Sequence, residues 1–166
     1  MKLKQLLFLI VLAFYFLIVN KALADTTQDI VINYPKINSM SPYYQSKRFW
    51  EKTVYYFTFS NKSKASFNQE LLKERLAELK YVADKRLLSG IETAAKRFSS
   101  QAGVSAEAVK NLKDNNKISA TVEEFNSYTK ILNGLRDLYA ANSGYWLAIQ
   151  QDIDTLKILS DEIKAK

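Results

Sequence analysis

Residues 69–88 read QELLKERLAELKYVADKRLL. Leu72, Leu76, Leu79, Ala83 and Leu87 recur at spacings of three and four. That period puts them on one stripe of an α-helix that must be buried against other helices. Glu70, Lys73, Glu74, Glu78, Asp84 and Lys85 are assigned to its wet side. Ser60 stands where a capping hydroxyl is wanted, so the helix is expected from about Asn61 to Leu88, with Ser89-Gly90 ending it.

The same period continues on both sides. Upstream, Ser41-Pro42 predicts a helix start, because serine can accept an orphan backbone N–H and proline suits the first helical position. That helix should run to about Phe57, with Tyr43, Trp50, Val54 and Phe57 on one face and Phe49 and Tyr56 on a neighbouring one. Downstream, Ile91, Ala94, Ala95 and Phe98 predict a third helix broken at Gly103, with a further turn or two capped by Ser105. Asp114-Asn115-Asn116-Lys117 reads as a loop. Ser119 or Thr121 is then expected to cap a helix to about Ala141. Its two seams are Val122, Phe125, Leu132, Tyr139 and Tyr128, Ile131, Leu135, Leu138. Asn142-Ser143-Gly144 breaks the pattern, and Trp146, Ile149, Ile153, Leu156 and Ile163 define the last helix. The expectation is an all-α fold, an antiparallel bundle of four to five helices over residues 41–166.

Residues 1–24 have the three parts of a secretory signal. Lys2 and Lys4 precede an unbroken apolar run from Leu6 to Val19, and Ala22-Leu23-Ala24 supplies small residues for a peptidase. A spanning helix needs roughly 20 apolar residues, and Asn20-Lys21 stops this run short, so cleavage before Asp25 is favoured over a retained anchor. The expected location is exported: periplasmic, cell-surface or secreted. Residues 25–40 read as an extended leader, with Ile30, Ile32 and Tyr34 alternating before Pro35; a tether is favoured over an edge strand.

Composition removes several function classes. The chain has no cysteine and no histidine. Disulfides, zinc sites, Ser-His-Asp triads and Cys-His dyads are therefore excluded. Lys2, Lys4 and Lys21 belong to the signal, which leaves 21 basic against 17 acidic side chains. So small an excess gives nucleic-acid binding little support. It is uneven, with 13 basic and 8 acidic groups over residues 25–103, which favours an anionic surface as partner if it is more than a solvated face.

Ser127-Tyr128-Thr129-Lys130 fits an S-x-x-K pattern, but the companion S-D-N and K-T-G motifs of those serine enzymes are absent. Glu70, Glu74 and Glu78 form an i, i+4, i+8 stripe without the histidines of a di-iron bundle, and read as a solvated face with local ion pairs. Asp114-x-Asn116 begins like a calcium loop but has Ser119 and Asn126 at the positions that need glycine and glutamate. No catalytic residue, metal site or cofactor is assigned.

The densest feature is aromatic. Residues 43–59 hold Tyr43, Tyr44, Phe49, Trp50, Tyr55, Tyr56, Phe57 and Phe59, interleaved with Lys47, Arg48 and Lys52. Most of these rings are expected in the core, since aromatic side chains bury large areas. A helix buries only part of its circumference, which leaves Tyr44, Lys47, Arg48, Lys52, Tyr55 and Tyr56 as the candidate interaction surface.

The run from Ser41-Pro42 through Lys47-Arg48 and Trp50-Glu51 to Phe57-Thr58-Phe59, followed by Glu74-Arg75-Leu76-Ala77-Glu78, resembles a bacterial extracytoplasmic helical family known as domain of unknown function 5667. The likeness covers about residues 39–100. Members often have Asp-Pro after F-T-F; here Ser60-Asn61 follows. The resemblance implies an exported all-helical domain without an established activity or cofactor. It supplies no site residues. Some members sit on membrane-anchored regulatory proteins, which implies a sensor-like role. As fold determinants, Trp50 is expected to anchor the core and Phe57 and Phe59 to lock the turn.

The leading functional expectation is a non-enzymatic exported module that binds an envelope protein, a wall polymer or a membrane surface, and not nucleic acid. The alternative is a periplasmic sensor that takes a small apolar ligand inside the bundle. An enzyme that works by carboxylates alone would need a paired cleft, to which no sequence pair points.

Overall fold

The computed structural model describes residues 32–37 and 41–165. Residues 1–24, read above as a secretory signal, and residues 25–31 and 38–40 of the leader lie outside them. Among the described residues there are five helices and no strand: α1 Tyr44–Tyr56, α2 Asn61–Asp84, α3 Leu88–Leu112, α4 Asn115–Arg136 and α5 Gly144–Lys164. The all-α bundle is as the periodicity requires.

Helices α2 to α5 form the bundle. α2 packs along α3, α3 along α5 and α5 along α4, with lighter contact of α4 to α2 and α3. Two side-chain bonds set the direction of α2 against α4. Gln69 donates to Thr121 at their beginnings, and the Tyr139 hydroxyl just past α4 donates to the Ala83 carbonyl near the end of α2. The two helices thus run parallel, and each is antiparallel to the helix that follows it.

Four of the five stripe residues of α2, Leu72, Leu76, Leu79 and Ala83, are fully enclosed, while Leu87 lies past the end of the helix and is half-buried. Phe98, Phe125, Tyr128, Leu132, Ile149 and Leu156 meet them from the other three helices. Phe98 and Tyr128 pack edge to face, 6.5 Å between centroids. Each such side chain contributes roughly 1.5–3 kcal/mol through burial, which is what holds a bundle without disulfides together.

The helix ends differ from the sequence expectation in physically instructive ways. α2 stops at Asp84, not at Ser89-Gly90. Arg86 takes φ 53°, and Arg86 and Leu87 donate their N–H groups to Ala83 and Val82. This is the hydrogen-bond pattern of a left-handed helix cap, made here without glycine. Gly90 instead lies inside α3, where an added Cβ would stand 3.2 Å from Val82 Cγ1, so its size lets α2 and α3 approach.

Gly103 does not break α3, which runs on to Leu112; Ser105 is buried within it rather than capping. Asp114-Asn115-Asn116-Lys117 is not a loop but the start of α4. The Asp114 carboxylate accepts from the Asn116 and Lys117 N–H groups, so it displaces Ser119 and Thr121 as the cap. α4 ends at Arg136, short of Ala141. Ser143 caps α5 by accepting from Trp146 N–H, within the expected break.

Residues 32–37 are irregular rather than a strand, and they dock. Ile32 is buried, the Tyr34 hydroxyl donates to Asp84 at 2.9 Å, and the Tyr34 ring meets Tyr81 edge-on. This part of the leader is not a free tether.

Candidate functional site

α1 lies on the bundle with its polarity reversed. The helix starts at Tyr44, two residues later than the Ser41-Pro42 signal implies; Ser41 supports it by accepting from the Tyr43 N–H and, through its carbonyl, from Tyr44. Successive residues turn by about 100°. On that wheel Tyr44, Lys47, Glu51 and Tyr55 fall on one side, and Phe49, Trp50, Thr53, Tyr56 and Phe57 on the other. The first side faces α2.

That inner seam is ionic. Lys47 Nζ lies 3.0 Å from Glu78 Oε1, 3.0 Å from Glu74 Oε2 and 3.7 Å from Glu51 Oε1. Arg75 pairs with Glu78 at 2.8 Å and with Glu51. The Tyr44 hydroxyl donates to the other Glu78 oxygen at 3.0 Å, while the Arg97 guanidinium sits 4.6 Å over the Tyr44 ring. Arg75 and Glu78 are both buried, and Glu51 and Lys47 nearly so. Burial opposes the charge on Lys47, but its bonds to Glu78 and Glu74 outweigh that and hold the ammonium above its ordinary pKa. Arg75 behaves the same way, with Glu78 and Glu51 as the compensating charges. Burial, then the Glu78 charge, raises the Tyr44 hydroxyl, so it stays a donor.

Two expectations about α2 are corrected here. Glu78 is not on a wet side, and the Glu70–Glu74–Glu78 stripe is not a solvated face throughout; its last member is enclosed because Arg75, Lys47 and Tyr44 together satisfy it. Glu70 and Glu74 are exposed. Removing one partner of such a buried cluster leaves an uncompensated charge, a cost of about 3–5 kcal/mol. The cluster therefore defines where α1 can sit.

The outer side is aromatic. Phe49 is 73 % exposed, Trp50 67 %, and Phe59, just beyond the helix, 84 %. Tyr43, Tyr56 and Phe57 are exposed with them. Trp50 does not anchor the core, and Phe57 and Phe59 do not lock the turn. The bundle core is already closed by α2 to α5, and α1 meets it through charges.

Of the six residues expected at an interaction surface, Tyr44 is buried and Lys47 is committed to the ionic seam. Tyr55 is partly exposed, its ring 6.2 Å from Phe67 with Lys64 Nζ 5.6 Å above it. Lys52 and Tyr56 are exposed and Arg48 half-buried. These four border an open cleft of about 520 Å³ beside α1, closed below by Asn68, Arg75 and Gln101. Arg48 and Lys52 also border a second cleft of about 420 Å³ with Phe49, Tyr44 and Arg97. The sequence reading missed Trp50, Phe49, Phe57 and Phe59 as surface residues. The signal was present: Lys47 and Glu51 lie opposite them on the helix.

No curated protein and no solved structure matches the chain. A family model described as a domain of unknown function, DUF5667, matches residues 36–138, which takes in α1 to α4 and the seam between α1 and α2. By this match over more than half of its length, the chain belongs to that family of domains of unknown function.

Proposed function

We propose that the protein is a non-enzymatic module of the cell envelope that binds another envelope component through α1 and the α1–α2 connection. One observation carries this reading: the aromatic side of α1 faces water while its charged side is buried. Apolar area left outside is ordinarily scattered, and a contiguous stretch of large rings is a mark of an interaction surface. The residues that the chain spends on burying Lys47, Glu51, Arg75 and Glu78 hold that stretch outward.

The export half of the reading rests on Lys2 to Ala24. Among the described residues, no helix is long and apolar enough to cross a membrane. The absence of histidine and cysteine from the whole chain supports a binding role over catalysis.

The test is photo-crosslinking in the native envelope from a reactive residue at position 50 or 56, with capture identified by mass spectrometry. A product that appears at these positions and not from Lys157, exposed on α5, supports the reading. Equal labelling from α1 and α5, or none from α1, sinks it.

A further inference from the structure

We infer that the component α1 binds is an anionic lipid bilayer surface, entered by the rings of Phe49, Trp50, Phe57 and Phe59 with Arg48, Lys52 and Lys64 at headgroup level. This rests on the envelope-binding reading above and names its partner.

Charge is the first argument. Between Ser41 and Ser66 the chain carries Lys47, Arg48, Lys52, Lys62 and Lys64, and one carboxylate, Glu51. Glu51 and Lys47 are turned inward and neutralise each other's neighbours in the buried seam. The charges of this segment that reach the surface are therefore cationic, Lys52 and Lys62 exposed and Arg48 and Lys64 half-buried, while Glu70 of α2 shares a cleft with Lys62 and Thr58. Basic side chains close to an anionic leaflet are attracted to it, and the attraction is lost beyond a Debye length.

The type of ring is the second argument. Three of the exposed rings are phenylalanines, which have no polar atom to offer a sugar hydroxyl or a peptide group. Trp50 and Tyr56 are amphipathic rings of the kind that settle at a membrane–water interface. A helix with aromatics on one side and basic residues beside them is the pattern of a segment lying in the interface plane. A wall polymer would use the cations but leave Phe49, Phe57 and Phe59 in water. A second copy of this chain would bring like charges together.

The third is geometry. Arg48 and Lys52 border both clefts along one flank of α1, and Lys64 borders the larger one. The cations thus form a row beside the rings rather than a patch elsewhere. The cleft on the opposite flank, which residues 32–37 border, mixes Glu70 and Glu74 with Lys36, Lys47 and Lys73. Among the described residues, the flank that carries Arg48, Lys52 and Lys64 has no exposed carboxylate, and it adjoins the aromatic side.

The experiment uses the chain from Asp25 onward, without the apolar Leu6–Val19 run that would itself enter vesicles, and carrying Trp146→Phe so that Trp50 is the one tryptophan. It is mixed with vesicles of phosphatidylcholine, or of phosphatidylcholine with phosphatidylglycerol. The expected result is a blue shift of Trp50 emission with the anionic vesicles, largely reversed when salt rises from about 0.05 M to about 0.5 M. In the same background, Phe49→Ser with Phe57→Ser and Phe59→Ser should lower the bound fraction by about tenfold or more in flotation. Because these side chains are exposed, circular dichroism should show the fold kept. Equal binding to neutral vesicles, an unshifted Trp50, or flotation that the triple variant leaves intact would overturn the inference. If Trp50 is unshifted while crosslinking from position 50 captures a protein or a wall polymer, the lipid assignment fails and the envelope-binding reading stands. If neither responds, both fail.

Discussion

The Tyr44 hydroxyl donates to Glu78 Oε2 at 3.0 Å, across the seam between α1 and α2, in the same cluster where Lys47 and Arg75 hold Glu78 Oε1. Tyr44→Phe should cost about 1–3 kcal/mol, since it leaves a buried carboxylate oxygen without its donor. Glu78→Ala should cost more, about 3–5 kcal/mol, because it strands Arg75 inside the protein. Urea unfolding of the two variants and the parent checks the order. If Glu78→Ala is the milder of the two, the cluster does not hold α1.

Asp152 is buried between α5 and α3, where one of its oxygens accepts from Ser99 and the other has no partner. Burial raises its carboxyl from the ordinary 3.8 to about 8, against the smaller opposing effect of the Ser99 bond. The folded protein then holds a proton that the unfolded chain releases, so the contribution of Asp152 to stability is greatest below about pH 4 and is lost as pH rises to about 8. Asp152→Asn should flatten that fall. Thermal melts of both proteins at several pH values from 4 to 9 read it directly, and parallel curves for the two would contradict it.

The Asp114 carboxylate caps α4 by accepting from two backbone N–H groups. Asp114→Ala should lower stability by about 0.5–2 kcal/mol, and Asp114→Asn by much less. A matched loss in both would show that charge at the helix start matters more than the cap bonds.

Arg86 pays for its left-handed conformation at φ 53°, and no side chain there is needed for burial. Arg86→Gly should therefore raise the denaturant midpoint slightly, since relief of about 1–2 kcal/mol of left-handed strain exceeds the roughly 0.4–1 kcal/mol lost to the freer unfolded chain. A loss of stability would mean that the arginine makes up for its strain elsewhere.

Two rings of similar size should give opposite results. Phe98, fully buried, should cost about 3–5 kcal/mol when changed to Ala. Trp50, largely exposed, should stay within about 0.5 kcal/mol. Calorimetry of the two single variants decides it, and a large loss from Trp50→Ala would place that ring in the core after all.

The helices were legible because their signal is local. Leu72, Leu76, Leu79 and Ala83 must share a face whatever surrounds them, and so must Ile149, Leu156 and Ile163. The ends were less legible. Gly90 and Gly103 look like breaks but lie in α3, since long-range packing overrides a propensity cost of about 1 kcal/mol. Arg86, which has no turn signature, takes the left-handed cap because Arg86 and Leu87 N–H find Ala83 and Val82 carbonyls there.

Legible in the sequence alone were the helices of the described residues, the placing of Phe49, Trp50 and Tyr56 with Lys47, Arg48 and Lys52 on one helix, and a composition without histidine or cysteine. Only the tertiary structure decided which side of α1 faces in. A helical wheel sorts residues into sides but does not say which side meets a neighbour, and Tyr44 and Lys47 were expected at the surface. Their side became the buried one because Arg75 and Glu78, on the edge of the apolar arc of α2 beside Val82, pair with each other and find their remaining partners in Lys47, Glu51 and Tyr44. A buried charge must be paired, and that demand turns Phe49, Trp50 and Phe57 outward to the solvent.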